Sequence, residues 1–451
     1  MNKLDLAIIG GGPAGYTAAE RAGNAGLKTI VFDMRELGGV CLNEGCIPTK
    51  TLLYTAKLYD HALHGDIFGI YAENVSYDFS KIIKRKDKVV RKLVSGVSSR
   101  MKKNKVEVIK SKATTKRRLK NGFVVEAAGQ EYEAERILIS TGSEAAVPPI
   151  PGLKESKYFT NREILQIDEI PKSLNIIGGG VIGVEFANIF NAFGTKVTVF
   201  EMLDEILPGI DSEFCKSLRT ELSKRGVDFH LNTKVSAIND DKVLAEKDGK
   251  EIAVQAEKLL IAVGRKVNVE NLGLEEIGVE FSTKSVIIDK NCRTNIPNVY
   301  AAGDVTGFSL LAHTAYREAE VAVNHMLGKK DFMRYNAIPA VVYTNPEISC
   351  VGLTEEVAKK KQIAYTAHSL PMTFAGRFIA ENEGFNGLCK ILIGEKHKEI
   401  LGVHMIGNPS SEMIYGAAMA IEMQMRVEDV KEIVFPHPTV SEIFREMVFE
   451  F

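Results

Sequence analysis

The stretch "LDLAIIGGGPAGYTAAERAGNAGLKTIVFD", Leu4–Asp33, contains an apolar strand, a glycine-rich turn, a helix and a second apolar strand that ends in an acid. The turn has the pattern G-x-G-x-x-G at Gly10, Gly12 and Gly15. The first glycine permits a tight turn, the second lets the backbone approach a pyrophosphate, and the third lets the helix pack close to the strand. Since a helix N-terminus attracts phosphate and the acid accepts hydrogen bonds from ribose, the unit predicts a bound dinucleotide.

The same unit recurs in "SLNIIGGGVIGVEFANIFNAFGTKVTVFE", Ser173–Glu201, with its glycines at Gly178, Gly180 and Gly183. The first glycine precedes the acid by 201 − 178 = 23 residues here and by 33 − 10 = 23 residues in the first copy. A single pattern of this kind also fits a tight strand–helix turn that binds nothing. Two matching units at one spacing predict two dinucleotide sites.

The acid of the second unit indicates which nicotinamide cofactor it prefers. Glu201 stands where a 2′-phosphate would lie, and its charge would repel that group. The next residues, Met202 and Leu203, offer no guanidinium to receive a phosphate. The second site is therefore predicted to select NAD over NADP.

Composition is typical of a globular chain and excludes several classes of function. The 451 residues suggest about two to four domains, and the formal net charge of -1 gives no general attraction to nucleic acid or anionic membrane. Six cysteines in so long a chain do not make a disulfide framework. We find no signal-peptide pattern and no apolar run of membrane-spanning length, and expect a cytoplasmic protein without membrane or nucleic-acid partners.

Further motifs accompany the two glycine-rich units. They closely resemble those of the pyridine nucleotide–disulfide oxidoreductases, and within that family those of the dihydrolipoyl dehydrogenases. The resemblance covers the whole chain. The motifs are "GGVCLNEGCIPTK" (38–50), "EILPGIDSE" (205–213), "AAGDVTG" (301–307), "LAHTAYREAE" (311–320), "YTNPEISCVGLTEE" (343–356) and "HPTVSEIFRE" (437–446).

This resemblance implies an α/β homodimer with two Rossmann-like dinucleotide-binding domains and a C-terminal α/β dimerisation domain. It would move electrons from dihydrolipoyl groups to NAD through FAD. The lipoyl group would belong to a carrier protein or acyltransferase subunit of a 2-oxo acid dehydrogenase or glycine cleavage system. A glutathione reductase-like enzyme is the alternative, and Glu201 disfavours its NADPH. The expected segments are FAD-binding 1–142, NAD-binding 143–265, central 266–334 and dimerisation 335–451.

The resemblance also implies roles for individual residues. Asp33 would bind the adenosine ribose of FAD and Asp304 the ribityl chain. Lys50 would lie beside the flavin's reactive nitrogen and pair with Glu185. The other residues expected at FAD, besides the first glycine-rich turn, are Gly39, Ala113, Thr141, Gly142 and Ala312. Those expected at NAD, besides the second turn, are Glu201, Val235 and Gly264.

Cys41 and Cys46 are best explained as a redox couple. Zinc sites commonly add a second pair of ligands. The chain has no second cysteine pair, and His61 and His64 stand in an ordinary helical stretch, so no metal is predicted. A structural cross-link is unexpected in a reducing cytosol, and it would close only a short loop. By resemblance, Cys41 is the interchange thiol that meets the lipoyl sulfur, and Cys46 faces the flavin.

The spacing of the two cysteines constrains the backbone. Residues five apart in a straight α-helix have Cα atoms roughly 8.6 Å apart, whereas a disulfide needs about 4.4–6.8 Å. We therefore predict a distorted turn, with Gly45 supplying backbone freedom, running into a helix near Ile47–Lys50.

His437 lies between Pro436 and Pro438, and Glu442 follows five residues later. A lone loop histidine is more often a surface or packing residue. The resemblance instead implies that His437 is a base that serves the partner subunit's site, is oriented by Glu442 and precedes a cis His437–Pro438 bond.

The one strongly basic stretch, Lys81–Lys105, shows helical periodicity and predicts an amphipathic helix with a solvated cationic face. Docking of an acidic partner is the alternative for that face.

Overall fold

The computed structural model describes residues 3–247 and 249–451, which fall into two compact units. The first unit comprises Met1–Thr51, Lys81–Ala146 and Gly264–Arg334. The second comprises Leu52–Ser80, Val147–Val263 and Tyr335–Phe451. The segment boundaries expected from the sequence stay a prediction. No helix in the described ranges is both long enough and apolar enough to cross a membrane.

The described residues form helices and strands that alternate along the chain. The helices are α1 (Pro13–Asn24), α2 (Gly39–Glu44), α3 (Cys46–Leu63), α4 (Phe79–Lys103), α5 (Asn161–Ile164), α6 (Val181–Ala192), α7 (Ser212–Lys224), α8 (Ala312–Met326), α9 (Glu355–Lys360), α10 (Gly376–Glu381), α11 (Ser410–Glu422), α12 (Val427–Lys431) and α13 (Glu442–Phe449). The strands are β1 (Lys3–Ile9), β2 (Thr29–Asp33), β3 (Glu107–Lys110), β4 (Ala113–Leu119), β5 (Gly122–Ala127), β6 (Gln130–Ile139), β7 (Ser143–Ala145), β8 (Ser173–Ile177), β9 (Lys196–Phe200), β10 (Asp228–His230), β11 (Lys234–Asn239), β12 (Lys242–Lys247), β13 (Lys250–Gln255), β14 (Lys258–Ile261), β15 (Arg265–Val267), β16 (Phe281–Ser282), β17 (Ser285–Val286), β18 (Val299–Ala301), β19 (Ala340–Val342), β20 (Ile348–Gly352), β21 (Tyr365–Leu370), β22 (Leu388–Gly394) and β23 (Ile400–Ile406).

The first unit is built on a mixed sheet in the order β3-β2-β1-β6-β5-β4, with β18 also paired to β6. Strands β1, β2, β3, β6 and β18 are joined by parallel pairs, and Ile8 faces Val31 across the β1–β2 pair. Parallel strands need crossover connections, and α1 supplies the one between β1 and β2. All glycines of the predicted turn therefore lie at the carboxyl end of β1, where ligands bind in such sheets.

Contacts at the first turn show why its glycines are required. A Cβ on Gly15 would lie 1.8 Å from the carbonyl oxygen of Gly10, and one on Gly10 would lie 2.3 Å from the carbonyl oxygen of Ser140. The hydroxyl of Ser140 donates to the same Gly10 oxygen at 2.8 Å. Helix α1 is thus held tightly against the ends of β1 and β6.

The second unit contains separate sheets. Strands β10-β9-β8-β14 form a parallel sheet that carries the second glycine-rich turn after β8, and β11-β12-β13 form an antiparallel sheet. The C-terminal part has the antiparallel order β19-β20-β23-β22-β21. The stretch "KILIGEKHKEILGVHMIG" (390–407) predicts an antiparallel hairpin, which is confirmed as β22–β23. The stretch "SSEMIYGAAMAIEMQM" (410–425) predicts a helix, which is confirmed as α11.

A buried lysine joins three elements of the second unit. The side chain of Lys390, on β22, is only 6% exposed. Its ammonium group contacts Asp211 at 3.0 Å, Glu213 at 2.8 Å and Glu355 at 3.1 Å. Burial alone would lower the pKa of Lys390, but the hydrogen bonds that its ammonium group donates to these carboxylates outweigh burial and raise the pKa. Two of the motifs quoted above therefore supply the counter-charges for one buried cation.

We predict that Gly15→Ala lowers the thermal unfolding midpoint by several degrees, because overpacking at such a contact costs about 1–3 kcal/mol. Gly96→Ala is the matched control. A Cβ at Gly96, within α4, meets no atom within 4 Å, and alanine gains up to about 1 kcal/mol over glycine in a helix interior. Differential scanning fluorimetry of both variants checks this. Equal midpoints would contradict the assigned role of the Gly10–Gly15 contact.

Candidate active site

The two cysteines of the first unit lie on different helices. Cys41 lies within α2 and Cys46 begins α3, with Gly45 between them at φ −146° and ψ −105°. The predicted break at Gly45 is confirmed, and no straight helix spans the pair. The predicted helix near Ile47–Lys50 is confirmed as the start of α3. The residues before Gly45, where the sequence predicts a distorted turn, instead form the short helix α2, which follows Gly38 at φ 100° and is anchored by the buried side chain of Leu42.

The thiols of Cys41 and Cys46 form a hydrogen bond with each other. This bond raises the pKa of Cys41, and burial raises it further. The charge of Lys50 lowers the pKa of Cys41, whereas that of Asp304 raises it. The reduced pair therefore holds its proton strongly, and a nearby proton acceptor is needed for rapid thiol exchange.

Each glycine-rich turn is fastened to its acid in the same way. In the first unit, the backbone N–H of Gly11 donates to Asp33 at 2.6 Å, and the N–H of Arg35 donates to the other carboxylate oxygen at 2.8 Å. In the second unit, Gly179 donates to Glu201 at 2.7 Å, and Leu203 donates to its other oxygen at 2.8 Å. The acid thus fixes the conformation of the turn.

The residues present fit a dinucleotide at both turns. Gly12 and Gly180 are the N-cap residues of α1 and α6, and neither can cap its helix with a side chain. Each helix therefore offers backbone N–H groups to phosphate. A Cβ on Gly180 or Gly142 would meet no protein atom within 4 Å, which leaves open space beside the backbone. Gly39 packs against the first turn, since its Cβ would lie 2.7 Å from the Cα of Gly12.

Polar side chains of the first unit surround the carboxylate of Asp304. Asp304 accepts a hydrogen bond from the Ser143 hydroxyl at 2.5 Å, and the guanidinium of Arg265 lies 3.8 Å from the same carboxylate. Arg265 also donates to the Ser143 hydroxyl at 2.7 Å. Burial lowers the pKa of Arg265, and the charges of Asp304 and Cys46 oppose that effect. Ser143 and Arg265 thus fix the position of the Asp304 carboxylate.

The other residues expected at FAD lie on the first unit. Thr141 donates to the carbonyl oxygen of Asn268 at 2.6 Å. Ala113 is buried at the start of β4, and Ala312 is the first residue of α8. The contacts of these residues with FAD stay a prediction.

The residues expected at NAD divide between the units. Glu201 and the partly buried Val235 belong to the second unit, and Gly264 begins the last segment of the first. Glu185, on α6, is 3% exposed and accepts a hydrogen bond from the backbone N–H of Tyr343 at 3.0 Å. Lys50 belongs to the first unit, so its pairing with Glu185 stays a prediction.

The C-terminal loop presents the predicted histidine. His437 Nδ1 lies 2.9 Å from one oxygen of Glu442, and the other oxygen accepts the N–H of Thr439 at 2.9 Å. Those hydrogen bonds, with the backbone bond first, lower the pKa of Glu442, so it stays ionised and can only accept. Nδ1 therefore carries the proton, and Nε2 of the neutral ring is left as an acceptor on a side chain that is 79% exposed. The His437–Pro438 bond is cis, as the resemblance implies.

Sequence reasoning missed several residues of the site. Tyr16 and Tyr316 share a hydrogen bond of 2.8 Å between their hydroxyls. Burial raises the pKa of both tyrosines, and the charge of Cys41 adds to that increase. Arg265 and Ser143 join Asp304 as described above. Tyr16 and Tyr316 are 300 residues apart in the chain, so no local pattern could have linked them. Gly11 and Gly179 occupy a variable position of the turn pattern, yet both are glycines, which was the available signal.

Comparison with known proteins agrees with this geometry. Residues 4–324 match the family described as pyridine nucleotide-disulphide oxidoreductase, and residues 338–448 match its dimerisation domain. The chain therefore belongs to the pyridine nucleotide–disulfide oxidoreductase family. This family uses FAD and NAD, and the dimerisation domain supports a homodimer.

Individual relatives are similar over nearly the whole chain. A dihydrolipoyl dehydrogenase of Bacillus subtilis (strain 168) is 38% identical over 98% of this chain and 95% of its own length. A mitochondrial dihydrolipoyl dehydrogenase of Schizosaccharomyces pombe is also 38% identical, over 98% of this chain and 89% of its own. Among solved structures, LpdA of Mycobacterium tuberculosis has a TM-score of 0.91 at 25% identity, covering 100% of this chain and 99% of its own. The HOCl-induced flavoprotein disulfide reductase RclA of Escherichia coli has a TM-score of 0.86 at 30% identity, covering 99% of each chain.

We predict that Glu201→Ala raises the KM for NAD by about tenfold or more and narrows the preference for NAD over NADP, since a buried acceptor of this kind is worth about 1–3 kcal/mol. The change removes the acceptor for Gly179 and Leu203 as well as the charge that repels a 2′-phosphate. Steady-state kinetics with each cofactor measure it. Asp204→Ala, which removes an exposed acid three residues later, is the control. An unchanged NAD:NADP ratio in Glu201→Ala would refute the assignment.

Proposed function

We propose that this protein is a dihydrolipoyl dehydrogenase, which oxidises a dihydrolipoyl group and passes the electrons to NAD. The observation that carries this proposal is the thiol pair Cys41–Cys46, brought into contact by the break at Gly45 beside a dinucleotide-type turn. Two relatives that are similar over nearly the whole chain carry this activity in their names. Glu201 supports NAD as the electron acceptor.

The exchange step takes place between the dihydrolipoyl dithiol and the Cys41–Cys46 disulfide, and it balances. A dihydrolipoyl thiolate attacks the sulfur of Cys41 in the Cys41–Cys46 disulfide, and Cys46 leaves as a thiolate. The second lipoyl sulfur then attacks the first, which closes the lipoyl disulfide and releases Cys41. Two electrons have then moved from the dihydrolipoyl group to the cysteine pair. The two protons of the dihydrolipoyl thiols remain to be accepted.

The residues around the thiols and at the two glycine-rich turns have separate proposed roles. Lys50 favours the thiolate form of Cys41, and by helical spacing it follows Cys46 by about one turn of α3. Asp304, Ser143 and the two glycine-rich turns would hold the cofactors. Bound FAD and NAD supply the onward transfer of the two electrons away from the cysteine pair.

His437 is the proposed proton acceptor for the attacking thiols. Glu442 holds its Nδ1–H, which directs the basic Nε2 outward, and the same carboxylate stabilises the imidazolium that forms. By family resemblance, the loop serves the thiol pair of the partner subunit, so an isolated subunit would lack its base. The homodimer is then required for the dithiol reaction.

The physiological donor is proposed to be a lipoyl group on a carrier protein or acyltransferase subunit. A 2-oxo acid dehydrogenase complex or a glycine cleavage system would supply it. A cytoplasmic location stays a prediction. Because the structure resembles RclA, a second candidate function is that of a flavoprotein disulfide reductase, which would reduce a disulfide instead of oxidising a dithiol.

The purified protein is expected to reduce NAD with dihydrolipoamide and to show little turnover with glutathione disulfide and NADPH. Steady-state absorbance at the nicotinamide band measures both reactions under the same conditions. The physical reason is the charge of Glu201, which disfavours NADPH. Turnover confined to the second pair of substrates would overturn the proposed function.

We predict that His437→Ala lowers the rate of dihydrolipoamide oxidation by about 10²–10⁴-fold, the usual contribution of a general base. Oxidation of NADH by an artificial electron acceptor should be nearly unchanged, because that reaction requires no thiol deprotonation. Stopped-flow and steady-state assays of both reactions measure the split.

His397→Ala is the matched control for that experiment, since His397 is an exposed histidine in the turn of the β22–β23 hairpin. It should leave both reactions unchanged. Glu442→Gln tests the orienting role, and its loss should also be confined to the dithiol reaction. An equal loss of both reactions in His437→Ala would remove His437 from the role of base.

A further inference from the structure

Helix α4 carries a cationic face. Its sequence contains ten lysines and arginines and a single acid, Asp87. At about 100° per residue, its exposed cations other than Arg100 fall within about 120° of one side. The opposite side is apolar and packs inward through Ile82, Val97 and Met101, which are buried. The predicted amphipathic helix is thus confirmed, and its cationic side faces solvent.

Most cations of this face are not neutralised by the protein. The ion pairs recorded for the helix join Lys86 to Asp87 at 3.0 Å and Arg100 to Glu20 at 3.1 Å. Within residues 3–247 and 249–451, no carboxylate pairs with five other exposed cations. These are Lys84, Arg85, Lys88, Arg91 and Lys92.

The arrangement of these cations is unfavourable within the free protein. Lys84, Lys88 and Lys92 follow one another at i,i+4 spacing, so their charges repel along the helix. The face extends from Lys84 to Lys103 over about 28 Å. That length and charge match the footprint of a small acidic domain better than that of a small anion.

The C-terminal end of α4 contacts one tyrosine of the Tyr16–Tyr316 pair. The guanidinium of Arg100 lies 5.8 Å from the centre of the Tyr16 ring. The Tyr16 hydroxyl is hydrogen-bonded to that of Tyr316 at 2.8 Å, and the electrostatic influence of Cys41 reaches both tyrosines. All of these residues belong to the first unit. A partner bound along α4 would therefore lie on the same unit as the sulfur that is proposed to receive the substrate.

We propose that the cationic face of α4 is the docking surface for an acidic lipoyl-bearing carrier protein, which it holds while the dihydrolipoyl group reaches Cys41. This inference rests on the proposed function and adds the partner's charge and the place where it binds. Free dihydrolipoamide, which lacks the carrier, gains nothing from this face.

Charge reversal at the centre of the face tests the proposal. The variant Lys88→Glu/Lys92→Glu is compared with wild type, using as substrates a recombinant acidic lipoyl domain in its dihydrolipoyl form and free dihydrolipoamide. We expect kcat/KM for the lipoyl domain to fall about tenfold or more at low salt, within the range of electrostatic steering. The same quantity for dihydrolipoamide should change less than twofold. Added salt should reduce the wild-type advantage, because it screens exposed charges.

The control is Lys360→Glu/Lys361→Glu, which makes the same change of net charge at exposed lysines at the end of α9. It should leave both substrates within about twofold of wild type. An equal fall in both variants would assign the effect to net charge and overturn the proposal. So would full activity of the α4 variant with the lipoyl domain.

Two further outcomes separate the possible failures. If duplex DNA binds wild type and not the α4 variant, while turnover of the lipoyl domain is unaffected, the face belongs to nucleic acid and the proposal is wrong. If wild type does not oxidise free dihydrolipoamide, the proposed function itself has failed, independently of the docking surface.

Discussion

The break between α2 and α3 at Gly45 is the constraint on which the redox chemistry depends. In a continuous helix the Cα atoms of Cys41 and Cys46 would lie roughly 8.6 Å apart, beyond the reach of a disulfide. The break instead brings the two thiols into a hydrogen bond. Gly39 packs the start of α2 onto the Cα of Gly12. The same short segment therefore joins the thiols to the turn that is built for a dinucleotide.

The site separates electron acceptance from proton acceptance. Mutual hydrogen bonding and burial raise the pKa of Cys41, and the positive charge of Lys50 offsets this only in part. A buried pair of this kind holds two electrons well but exchanges its proton slowly without help. His437 differs in each respect, since it is exposed, ends in an acceptor nitrogen and is oriented by an ionised carboxylate. The two halves of the proposed reaction have opposite demands on solvation, which explains their separate positions in the chain.

The sequence predicted those parts of the fold and site that depend on local patterns. Both glycine-rich units, the break at Gly45 and the hairpin β22–β23 follow from turn chemistry and periodicity within about 30 residues. The contacts that it missed join distant segments. Tyr16 meets Tyr316, and Arg265 meets Ser143, only because the sheet brings those segments together. The hydrogen bond from the Gly11 N–H to the Asp33 carboxylate likewise depends on the folded geometry, and the spacing of these residues in the sequence does not predict it.

Two groups of lysines show how burial decides what a charge does. Lys390 is taken out of water, so removing its carboxylate partners would leave a buried charge at a cost of several kcal/mol. Three acids from α9 and from the start of α7 accordingly surround it. The lysines of α4 stay hydrated, where an ion pair is worth about 0–1 kcal/mol, so folding does not require partners for them. A net charge of -1 conceals this division. Cations that folding leaves unneutralised, in a row along α4, remain available to a second molecule.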